Sequence, residues 1–142
     1  MKKLAVLIRL HKNRLNEARV HLAACDRVRA ELAATLARLD RDMESERAAA
    51  RRSLEAARTY PAFARRMSVE RARLEHSLGE ADVAVDQAGE LVAACFRELK
   101  TVEQVAAAEA ERTRATEARR DQAVLDEIGG DRARRQGAGH GR

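Results

Sequence analysis

The feature that most limits what this chain can fold into is an apolar repeat every seven residues, carried along nearly its whole length. One row holds Leu15, Leu22, Leu36, Met43 and Ala50. A second holds Ala18, Cys25, Leu32 and Leu39, and the two interleave at steps of three and four residues. That is the a and d pattern of helices packed along a seam. Arg29 and Glu46 are polar exceptions on these rows. After Pro61 the pattern resumes, with Leu74, Ala81, Ala88, Cys95 and Val102 in one row and Leu78, Val85, Val92, Leu99 and Ala106 in the other. A period of about 3.5 residues held over several heptads predicts a left-handed supercoil.

Helix breakers fall in two places only. Pro61 is the single proline, and no glycine precedes Gly79. The spacing predicts an all-α fold of two long helices forming an antiparallel coiled-coil hairpin. The first helix is expected over residues 3–57, a turn over 58–61, the second helix over 61–128, and a disordered Gly- and Arg-rich tail over 129–142. Pro61 suits a first helical position, where its missing N–H is no loss. Gly79 and Gly89 inside the second helix signal either a close helix approach or local flexibility. A turn near residue 60 makes the numbers of facing residues total about 120 in an antiparallel hairpin. Cys25 and Cys95 then fall in one or adjacent layers, either as small core residues or as a redox clip.

Composition agrees with a rod and argues against a catalyst. Aromatic residues are 2 %, charged residues 36 %, and much of the 45 % apolar fraction is Ala, which buries little area. A two-helix seam offers no concave pocket. No Gly-rich phosphate loop is present. His11, His21, His76 and His140 are scattered, and the two cysteines lack zinc-site spacing. No catalytic residue, cofactor or metal ligand is therefore expected.

The net charge of +5 favours acidic partners. The basic residues are interleaved with acids, whereas a basic-region zipper gathers them beside its seam, so nucleic acid is not an expected partner. Two cysteines are too few for a secreted disulfide framework and fit a reducing cytosol. The apolar stretch in Met1–Arg9 is too short for a signal peptide and reads as the first turns of a helix in a cytoplasmic protein.

Two surfaces stand out as candidates for partners. Beyond about residue 117 the expected register leaves the second helix without a mate, and there Val124, Leu125 and Ile128 form an apolar cluster. Leu7 and Ile8, in the apolar start of the chain, belong to the same candidate surface. The turn region carries seven Arg in residues 51–73 against Glu55 and Glu70, with Tyr60, Phe63 and Met67 beside them. Aromatic side chains and Arg concentrate binding energy.

The segment Asp121-Gln122-Ala123-Val124-Leu125-Asp126-Glu127-Ile128, followed by Arg132, Arg134 and Arg135, resembles the C-terminal signature of the FliJ family of flagellar export proteins. Tyr60-Pro61-Ala62-Phe63, followed by Met67, Leu74 and Leu78, is similar to that family's turn region. The resemblance implies a component of the type III flagellar export apparatus, similar to the central stalk of a rotary ATPase. Its implied partners are the hexameric export ATPase, the export gate membrane protein and the export chaperones. The protein would be cytoplasmic and peripheral at the inner membrane, touching the membrane only through protein partners and monomeric when free. Leu7, Ile8, Val124, Leu125 and Ile128 would face the ATPase, and Tyr60, Phe63 and Met67 the gate. The alternatives are the equivalent stalk of a virulence-type secretion system, a coiled-coil scaffold, or a nucleic-acid-binding coiled coil.

Overall fold

The computed structural model describes residues 2–139, all helical except Ser53. Helix α1 spans Lys2–Arg52 and helix α2 spans Leu54–Gly139. The all-α expectation holds, but the break between the helices is shifted and far tighter than the spacing around Pro61 predicts.

Ser53 makes the break through its own hydrogen bonds. Its N–H donates to the Ala49 carbonyl at 3.2 Å, which closes α1, and its carbonyl accepts from the Ala57 N–H at 3.0 Å. Its hydroxyl accepts from the Ala56 N–H at 3.3 Å. A serine in this place is an N-cap, satisfying one of the donors that a helix start leaves unpaired. Arg51 and Arg52 lie in the last turn of α1 and Glu55 in the first turn of α2, each of the sign the helix dipole favours. The corner needs no left-handed residue, and none occurs among the described residues. Pro61 is therefore inside α2, not at its start. Its missing N–H removes one ladder bond, and the helix continues because the capped turn before it and the apolar rows after it both hold.

The chain divides into two units. In the unit Leu10–Glu98 the helices pair antiparallel. Arg71 on α2 donates to Asp40 on α1, Arg29 on α1 pairs with Asp82 on α2, and His11 lies 3.7 Å from Glu98. The numbers of these partners total 109 to 111, so the register lies about ten short of the one expected from a turn beside Pro61. The core is the predicted seam: Leu15, Ala18, Ala81, Ala88 and Cys95 are buried, and Leu22, Leu32, Leu36, Leu39, Leu74, Leu78, Val85 and Val92 are half-buried.

One expectation fails with the register. Cys25 shares a groove with Ala81 and Ala84, whereas Cys95 stands more than ten residues further along α2, roughly 15 Å or more. The two thiols are free and do not face each other. Of the two readings open for Gly79 and Gly89, close helix approach is excluded, because a methyl group added at either meets no atom within 4 Å.

The second unit groups the described residues up to Arg9 with those from Leu99 onward. Leu99 is buried, and Leu4, Ile8, Val102 and Ala106 are half-buried. From Thr116 to Gly139 every residue except Gly130 is exposed. The segment read from sequence as a disordered tail is helical as far as Gly139, and its last three residues lie outside the described ones. Local pairing supports this helix, with Gln122 donating to Asp126 at 2.9 Å and Arg134 to Asp131 at 2.6 Å. Such neighbours three or four apart each contribute about 0.2–0.5 kcal/mol.

Candidate partner-binding surfaces

Within the second unit, Val124, Leu125 and Ile128 are 54 %, 62 % and 48 % exposed. They recur at three- and four-residue steps and so share one side of α2. Arg132 and Arg135 continue that side at the same spacing, which sets cationic side chains directly after the apolar cluster. Leu7 is exposed. Ile8 is half-buried on the seam row that also holds Leu15, so it is a packing residue as much as a surface one. Leu125 stands 26 residues beyond Leu99 in the same helix, about 39 Å at the helical rise. Leu7 and Ile8 belong to a stretch of nine residues, too short to run alongside that whole length.

In the hairpin unit, Tyr60, Phe63 and Met67 are half-buried on α2. They begin seven residues inside the corner. Tyr60 and Met67 sit on one seam row with Leu74 and Ala81, and Phe63 flanks it. The exposed large apolar residue at the corner is one the heptad count passes over: Leu54, 74 % exposed, the first residue of α2. The signal for it was present in Arg51-Arg52-Ser53-Leu54-Glu55, a basic helix end followed by a capping serine and an acidic first turn.

Charge shapes one flank of the hairpin. The Arg71 guanidinium reaches Asp40 twice, through Nε to Oδ1 at 2.8 Å and Nη2 to Oδ2 at 3.4 Å, and also holds Glu75 on its own helix. The hydrogen bond from Arg71 is the main reason the Asp40 carboxyl sits below its ordinary range, with the positive charge adding to it and desolvation opposing. Arg71 itself is raised, chiefly by the same bond. His11 differs. Its Nδ1 is buried and makes no hydrogen bond, because Glu98 at 3.7 Å is near enough for attraction but too far for bonding.

Among the described residues no group of three His, Cys, Asp or Glu side chains is placed to hold a metal ion, and no helix is long and apolar enough to cross a membrane. What the arrangement offers is surface: an exposed helix with an apolar cluster, and an Arg-rich corner with Leu54 at its tip.

No curated protein and no solved structure matches the chain. The family model described as "Flagellar FliJ protein" matches residues 1–138, essentially the whole helical chain, and the protein therefore belongs to the FliJ family of non-catalytic flagellar export components.

Proposed function

We propose that this protein couples the hexameric export ATPase to the export gate as a stalk. The observation that carries the proposal is the cluster Val124, Leu125 and Ile128, exposed on a helix that no other described part of the chain covers. Moving apolar side chains grouped on an exposed helix out of water and against a partner lowers the free energy by about 25 cal/mol per Å². A ring that encloses α2 would supply such a partner, and Arg132 and Arg135 would meet carboxylates beyond the apolar contact. Leu7 and Ile8 would add to the ATPase contact from the start of α1. At the corner, Tyr60, Phe63 and Met67 would contact the gate, joined by Leu54 and the arginines around it. Export chaperones would be served by the same assembly, at the cytoplasmic face of the inner membrane.

The decisive experiment replaces Leu125 and Ile128 by Ala. Stimulation of the purified export ATPase should fall severalfold, while helicity and melting temperature stay those of the parent. Undiminished stimulation would overturn the proposal. So would a collapse of the melting transition, which would show that these side chains serve the fold.

A further inference from the structure

Charge in the hairpin unit is sorted along its length. Residues 47–66, on either side of Ser53, hold six Arg and one acid, Glu55. The rest of residues 10–98 holds ten Lys and Arg against fourteen Asp and Glu. Widening the corner segment to 41–73 still leaves nine Arg against five acids. The first acids outside the narrower segment are Glu46 on α1 and Glu70 on α2, roughly 10 Å and 25 Å from Ser53 along the helices.

Arg47, Arg51, Arg52, Arg58, Arg65 and Arg66 are all exposed. The arginines of this unit that form ion pairs are Arg29, Arg71 and Arg73, so the six at the corner hold no carboxylate among the described residues. Arg47 and Arg51, four apart, share one side of α1, and Arg58 and Arg65, seven apart, share one side of α2. Arg52 and Arg66 each point aside from the pair on their own helix. Leu54, 74 % exposed, lies one turn before Arg58. The cations therefore surround a convex end; they do not line a cleft.

A folded acidic partner docks on one side of such an end. A flat sheet of anionic headgroups receives it whole, and a cluster of about four to eight Lys or Arg is what that surface attracts. The acid surplus along the rest of the hairpin is repelled by the same sheet, which keeps the rod from lying down on it. We propose that the corner touches the bilayer directly, with its arginines among anionic lipid headgroups, Leu54 entering the interface and the hairpin standing on end. This adds a lipid contact to the protein-mediated one that the family resemblance implies, and goes beyond the gate contact proposed for the same corner. Protein-free vesicles hold no gate, so the two readings are tested apart.

The full chain should cosediment with vesicles of one part phosphatidylglycerol to two parts phosphatidylcholine, but not with pure phosphatidylcholine, and added salt should release it. Arg51→Gln, Arg52→Gln and Arg58→Gln together should weaken binding at least about tenfold, with helicity and melting temperature kept. The same replacement at Lys2, Lys3 and Arg9, a basic group outside the corner, should change it little. The chain has no Trp, so Leu54→Trp and Val20→Trp each report one place, Val20 being 68 % exposed on α1. On the anionic vesicles, emission of the Leu54→Trp protein should shift to the blue and be quenched by bromine-labelled lipid, and that of the Val20→Trp protein should do neither. Equal losses from the two charge removals, or lipid quenching at both Trp positions, would overturn the proposal. So would a chain that ignores the vesicles, and a Glu-rich peptide that binds in their place would make an acidic protein segment the partner.

Discussion

Arg71 grips Asp40 across the hairpin with two hydrogen bonds, Nε to Oδ1 at 2.8 Å and Nη2 to Oδ2 at 3.4 Å. Arg71 occupies a seam position on α2, in line with Leu78 and Val85, where a heptad pattern calls for an apolar residue. A cation there is satisfied only in a register that brings a carboxylate opposite. The pair is therefore a register lock, and Arg29 with Asp82 repeats it further along.

Removing the lock should loosen pairing without unfolding the helices. Asp40→Asn and Arg71→Gln should each lower the melting temperature, and the double variant should lose less than the two losses added, as a thermal double-mutant cycle would show. The pH dependence has a definite sign. Because the Asp40 pKa is lowered in the folded state, its contribution is whole above the unfolded carboxylate range and is lost as pH falls towards the folded value. The gap in melting temperature between parent and Asp40→Asn should close on acidification in that window.

Ser53 is the whole connection between the helices, so its cap should be measurable. Ser53→Ala should cost about 0.5–2 kcal/mol, and Ser53→Asp should restore most of it. Urea denaturation of the three proteins checks this. An Ala variant as stable as the parent would mean that backbone bonding alone holds the corner.

Gly79 and Gly89 are helical and surrounded by open space. Replacing either with Ala should raise stability by roughly 0.5–1 kcal/mol, because Ala loses less backbone entropy on forming a helix. A rise in urea midpoint with an unchanged slope is the expected result.

The Nδ1 of half-buried His11 is the one buried side-chain nitrogen or oxygen without a hydrogen bond among the described residues. Its place on the Ala18 and Cys25 row asks for an apolar residue of similar size. His11→Leu should raise the melting temperature at neutral pH, since an unsatisfied buried polar atom costs about 1–3 kcal/mol. A lower melting temperature would show that attraction to Glu98 outweighs that cost.

The seam was legible because burial on a helix has one period, and the rows holding Leu15, Leu22 and Leu36 on α1 and Leu78, Val85 and Val92 on α2 repeat it without a slip. The C-terminal segment around Leu125 and Ile128 was legible for a different reason: its apolar residues had no matching residues left to face. The corner was misread because Pro61 looked like a stop signal, whereas helix starts are decided by which side chain can accept from the first free N–H groups. Ser53 does so eight residues before Pro61.

From the amino-acid order alone follow the helices and their apolar rows, since these depend on local spacing, and the resemblance to the FliJ family, which rests on the motifs around Pro61 and Leu125. Tertiary structure alone decided the register, and with it the separation of Cys25 from Cys95 and the pairing of Arg71 with Asp40. A heptad seam looks nearly the same after sliding by one repeat. Only the match of polar groups across the gap, and the residue that caps the corner, distinguishes one alignment from the next.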